Sequence, residues 1–76
     1  MQIKDFKLLF PTGDLVKAEV VPAPMASGFN LLFYRKGRKT PQAVEAQRGG
    51  VRKFTTIDTA VANAAKVGFK SVAVVV

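Results

Sequence analysis

The 76-residue chain predicts an α+β fold: a curved antiparallel sheet of about five strands, one short helix at about 56–67, and a C-terminal strand. Three observations carry this. Apolar residues recur with period two through most of the chain up to Phe54, as half-buried strands require. A capped stretch with helical spacing follows, and the chain closes on an unbroken apolar run, Val72-Ala-Val-Val-Val76.

Taken in order, Ile3 to Phe10 alternates, with Phe6, Leu8 and Phe10 on one face, Asp5 and Lys7 on the other, and Leu9 as an extra apolar residue on the outer face. Pro11-Thr-Gly-Asp14 carries turn chemistry and predicts a hairpin. Leu15 to Val21 is the second strand, with Val16, Ala18 and Val20 inward. Pro22 and Pro24 have no N–H to donate, so the strand ends there and Met25 to Gly28 forms a loop. Gly28 to Lys36 alternates Phe29, Leu31 and Phe33 against Asn30, Leu32 and Tyr34, with the aromatic and branched side chains that suit a pleated surface. Gln42 to Gln47 and Val51 to Phe54 are the fourth and fifth strands. They are joined by Arg48-Gly-Gly-Val51, where two glycines can take positive φ.

Thr55-Thr-Ile-Asp58 has the spacing of a capping box, and Ile57, Ala60, Val61, Ala64 and Val67 or Gly68 then form one apolar stripe. Lys66 favours the negative end of the helix dipole and Gly68 stops the helix. Phe69 is expected to fold back over the last turn. The terminal valines read as a strand covered on both faces. It joins the sheet through a right-handed crossover from residues 51–54, or pairs with the first strand, or pairs with a second subunit. The predicted inner set is Phe6, Leu8, Phe10, Val16, Ala18, Val20, Phe29, Leu31, Phe33, Ile57, Val61, Ala64, Val72 and Val74.

Seventy-six residues make a single domain, 1–76, and a domain of this size buries only about 60% of its unfolded surface. Its stability is therefore modest, and self-association as a homodimer is one way to gain buried area. The apolar terminus and the outward Leu9 and Leu32 fit that expectation. With neither Cys nor His, disulfides, thiol chemistry, zinc-finger ligation and imidazole catalysis drop out. The N-terminal residues lack a secretory pattern, no run is long enough to span a bilayer, and no basic amphipathic helix marks a membrane surface. A cytoplasmic location fits.

Function is best signalled by charge. The net charge is +7, and seven of the twelve Lys and Arg residues, namely Arg35, Lys36, Arg38, Lys39, Arg48, Arg52 and Lys53, fall between Tyr34 and Phe54 against Glu45 alone. A concentrated positive field points to a polyanion, most simply nucleic acid, with these residues contacting phosphates. Tyr34 is the candidate ring for stacking a base. The plain alternative is a solvated hairpin end that only aids solubility. A second functional alternative is a small inhibitor that docks its basic edge on a host protein, anchored by Leu9, Leu32 and the Met25 loop. The five carboxylates form no evident pair for acid-base or metal chemistry, so the chain is read as non-enzymatic and without a cofactor. Neither phosphate-binding glycine motif occurs.

Residues 47–76 combine an Arg-Gly-Gly hairpin, Phe54 leading into a capped Ala-rich helix, Val67-Gly-Phe69 and a terminal valine run. In this the chain resembles small accessory proteins carried by bacterial plasmids and phages. The resemblance implies a mobile-element role, such as DNA binding, replication control or blocking a host defence, and favours DNA over RNA. Strands with one helix are also similar to single-strand-binding transcriptional coactivator folds, but those end on the helix, and the strand after Gly68 departs from them.

Overall fold

A computed structural model describes residues 1–24 and 27–75. The elements are α1 (Ile3–Leu9), a 3-10 turn (Phe10–Thr12), β1 (Leu15–Pro22), β2 (Phe29–Arg35), β3 (Gln42–Ala43), α2 (Ile57–Val67) and β4 (Ala73–Val74). The strands form one mixed sheet in the order β3-β2-β1-β4, antiparallel except for the parallel β1–β4 pair. The α+β class stands, with four strands and two helices among the described residues in place of five strands and one. Met25 and Ala26 of the expected loop, and Val76 of the terminal strand, lie outside the described residues.

The first correction is the N-terminal segment, which is helix rather than strand. Ile3, Phe6 and Phe10 satisfy i, i+3, i+7 as well as Phe6, Leu8 and Phe10 satisfy alternation, and the two patterns differ at Leu8 and Leu9. The helix turns Leu9 toward the core and leaves Leu8 77% exposed. At its start the Asp5 carboxylate accepts from the Gln2 N–H at 2.8 Å. Pro11-Thr-Gly-Asp14 therefore leads from helix to strand and makes no hairpin; Gly13 caps the 3-10 turn at φ 82°.

A second correction follows from a bulge. The β1–β2 register runs Leu15↔Arg35 and then Lys17↔Tyr34, so Val16 is the extra residue. An unpaired residue turns a strand's alternation over. Leu15 thus enters the core with Ala18 and Val20, while Val16 is 59% exposed. Of the remaining expected core, Phe6, Leu31, Phe33 and Ala64 are buried, and Phe10, Phe29, Ile57, Val61 and Val72 pack against them. Ala60 and Val67 of the expected helical stripe are buried too, whereas Val44 and Phe54 are core residues that alternation did not pick out.

β3 is only two residues long, and the expected fifth strand is reduced to single bridges, Glu45↔Val51 and Phe29↔Phe54. Val44 and Phe54 are fixed through backbone bonds to β2: Val44 N–H donates to the Leu31 carbonyl at 3.0 Å, and Phe54 exchanges two 2.8 Å bonds with Phe29.

α2 begins one residue later than expected. Thr56 is the cap, its Oγ1 accepting from the Thr59 N–H at 3.1 Å. Both helices lie on one face of the sheet. Ala60 and Ala64 are fully buried, and such small side chains allow the helix axis to approach the strands. Gly68 ends α2 at φ 137°, and a Cβ there would sit 2.5 Å from a carbon of the Phe10 ring. Only glycine meets both demands. The chain then places Phe69 5.5 Å from Phe33 and 5.0 Å from Phe10, while Phe6 lies 4.5 Å from Phe33.

The terminal strand is a further correction. Among the described residues β4 pairs with β1 alone, through Glu19↔Ala73 and Val20↔Val74, and forms a sheet edge rather than an interior strand. It does not join residues 51–54, and Val74 and Val75 stay exposed.

Candidate nucleic-acid interface

The opposite edge of the sheet carries the charge. β2 delivers Arg35 to the mouth of a tight turn, where its Nε donates to Asp14 Oδ2 at 2.7 Å and a terminal nitrogen lies 2.5 Å from the same oxygen. The Lys36 N–H donates to the Asp14 carbonyl at 2.7 Å, and the Arg38 N–H to the Arg35 carbonyl at 3.1 Å. These bonds fix the backbone of the turn, and Lys36, Arg38 and Lys39 all project into solvent.

After β3 the chain leaves the edge again in a second turn. Ala46 N–H donates to the Gly50 carbonyl at 2.9 Å and Gly49 N–H to the Ala46 carbonyl at 3.0 Å, with both glycines at positive φ, as the Arg-Gly-Gly motif predicts. Arg48 sits exposed in this turn and Lys53 is exposed beyond it. Arg52 is half-buried, its guanidinium 4.7 Å from the centre of the Phe54 ring. That cation–π contact orients the head group without neutralising it.

Seven cations thus divide by role. Among the described residues Arg35 is ion-paired, whereas Lys36, Arg38, Lys39, Arg48, Arg52 and Lys53 have no carboxylate partner. Glu45, the acidic residue within the cluster, faces the N-terminal ammonium of Met1. The uncompensated cations are carried by two turns, and by residues 52–53 just past the second, on the β2–β3 side of the sheet, with the neutral β4 strand at the far edge.

Tyr34 points to the face that the helices leave open. Its hydroxyl donates to Glu19 Oε1 at 2.8 Å, Lys17 Nζ lies 5.1 Å from the ring centre, and Lys17 is also 3.7 Å from Glu19. The bond to Glu19, burial and the nearby carboxylate charge all hold the phenol above its ordinary value of 10.0. Tyr34 is therefore engaged within the sheet, with one side of its ring occupied by a lysine. Sequence reasoning missed this cluster because Glu19 and Tyr34 meet only through strand register; once Lys17↔Tyr34 is paired, the outward alternation of Lys17, Glu19 and Tyr34 identifies it.

Leu9, expected as an outward anchor for a protein partner or a second copy, packs against the core instead, and Leu32 is half-buried. Met25 lies outside the described residues. No cluster of three metal-ligating side chains occurs among the described residues, and no helix there is long and apolar enough to cross a membrane. Comparison of the chain with protein-family models, curated proteins and solved structures finds no match.

Proposed function

We propose that the chain is a non-enzymatic nucleic-acid-binding module whose contact surface is the β2–β3 edge. One observation carries this reading: six cations, on two backbone-fixed turns and on the short stretch that follows the second, have no acidic partner among the described residues. Unpaired cations at a shared edge gain most from releasing the counterions of a polyanion. The contacts assigned are Lys36, Arg38, Lys39, Arg48, Arg52 and Lys53. Arg35 acts indirectly, anchoring the first turn through Asp14, and Tyr34 is left to the sheet. DNA in preference to RNA, and a plasmid- or phage-borne accessory role, rest on the resemblance of residues 47–76. Assembly as a homodimer rests on small size and on the exposed Val74 and Val75 at the free β4 edge.

The test is affinity for single-stranded and duplex DNA across a salt series. Changing Lys36, Arg38 and Lys39 together to Ala lowers the logarithmic salt slope by about 0.7 per lost contact on single strands and about 0.9 on duplex. Arg48→Ala removes one further contact. Affinity weaker than roughly 100 μM near physiological salt, or a slope unmoved by these variants, refutes the reading. A protein partner captured in fixed stoichiometry after nuclease treatment would turn the same edge to the inhibitor role.

A further inference from the structure

We propose that the hollow between α1 and the second basic turn holds one unstacked nucleotide of a single strand, so that the basic edge selects single strands over duplex. This rests on the nucleic-acid reading of that edge and adds a site to it. The hollow has a volume of about 390 Å³ and is lined by Gln2, Ile3 and Lys4 at the start of α1 and by Glu45, Ala46, Gln47 and Arg52 in and beside the turn. That volume falls within the range of about 300–1,000 Å³ typical of small-ligand sites.

The lining matches the parts of a nucleotide. Lys4 and Arg52 have no carboxylate partner among the described residues and are suited to a phosphate. Glu45, the one acid present, is turned to the Met1 ammonium. Arg52 has its guanidinium against Phe54, and a planar guanidinium held in this way offers its other face to a base. Ile3 and Ala46 supply apolar wall. The Gln47 carboxamide makes no hydrogen bond among the described residues and can meet a base edge with both donor and acceptor. Arg48 and Lys53 follow on the same stretch of chain and can take the neighbouring phosphates.

A base within a duplex reaches such a hollow only after it is unpaired and unstacked, whereas a single strand offers it directly. Lys4 is the residue this reading adds. It lies some thirty positions before the basic cluster, and α1 alone brings it there.

The experiment is fluorescence anisotropy near physiological salt with a short labelled oligothymidine and with a duplex of the same length. Wild type binds the single strand more tightly. Lys4→Gln and Gln47→Ala, both at exposed positions, and Ala46→Phe, which fills the hollow, each weaken single-strand binding up to about tenfold and leave duplex binding unchanged. Circular dichroism confirms folding; if Ala46→Phe does not fold, the two surface variants carry the test. Changing Lys36 and Lys39 to Ala weakens both ligands. Equal affinity of wild type for single strand and duplex overturns the hollow but leaves the basic edge standing. So does an equal loss on both ligands, or none, in the hollow variants. If wild type binds neither ligand, both readings fall.

Discussion

Phe33 and Tyr34 are consecutive residues of β2 that face opposite sides of the sheet, and different forces hold them. Phe33 is completely buried between Phe6 and Phe69, under the helices. Tyr34 lies on the open side, held by a hydroxyl bond to Glu19 and the charge of Lys17. Burial of a large ring is worth far more than a partly solvated hydrogen bond, so the covered face supplies stability. The open face and the basic edge are then free to vary in charge. A small domain can be this basic because its cations, whether on turns, helices or strands, all lie outside the core.

The largest expected effect tests the covered face. Phe33→Ala deletes the ring that links α1 to the segment after α2, and such a change typically destabilises by about 3–5 kcal/mol. A chain of this length has roughly 4–11 kcal/mol in total, so the variant should lose a large share of its stability and unfolds outright where the total is near the lower figure. Urea denaturation followed by circular dichroism reads the change. A loss below about 1 kcal/mol would show that the aromatic cluster is not what holds the helices to the sheet.

Phe33 was legible in the sequence and Phe6 only half so. The alternation of Phe29, Leu31 and Phe33 determines β2 because a central strand with one covered face must alternate. The spacing of Ala60 and Ala64 likewise determines α2. Around Phe6 a seven-residue helix is too short for its period to separate from a strand's, and Leu9 was the residue that told them apart. The bulge at Val16 leaves no local mark, since it depends on how β1 meets β2. Val44 and Phe54 are buried by two bridged stretches too short to show any period. For the site, the exposed turn cations could be read from the chain. The partners of Arg35 and Tyr34 are twenty-one and fifteen positions away, and the place of Lys4 requires α1 to be a helix.

An intermediate effect belongs to the helix that covers the sheet. Thr56→Ala removes the hydroxyl that accepts the Thr59 N–H and should destabilise by about 1 kcal/mol. Thr56→Ser keeps an oxygen in place and should recover most of the loss. Thermal unfolding of the three proteins checks the order. If Thr55→Ala is the more damaging change, the cap lies one residue earlier, where the sequence spacing first placed it.

The smallest effect is on the open face and is read by titration rather than by stability. Tyr34 is the only tyrosine and there is no tryptophan, so ultraviolet absorbance follows this phenol alone. Its hydroxyl bond to Glu19, its partial burial and the charge of Glu19 all favour the neutral form, so it ionises above 10.0. The sign for stability follows: a folded-state value raised above the unfolded one gives a contribution that is complete below about pH 10 and is lost as pH rises through the folded-state value. Glu19→Gln removes the charge and weakens the acceptor, and should move the midpoint back toward that of free tyrosine. Because Lys17 sits over the ring and close to Glu19, Lys17→Ala tests whether the lysine helps to hold the pair; the Tyr34 midpoint in that variant should still lie above that of Glu19→Gln. An identical midpoint in wild type and Glu19→Gln would mean that the cross-strand bond does not form in solution. Tyr34 would then be released on the open face, and the division of labour between it and Phe33 would have to be redrawn with the ring available to stack a base.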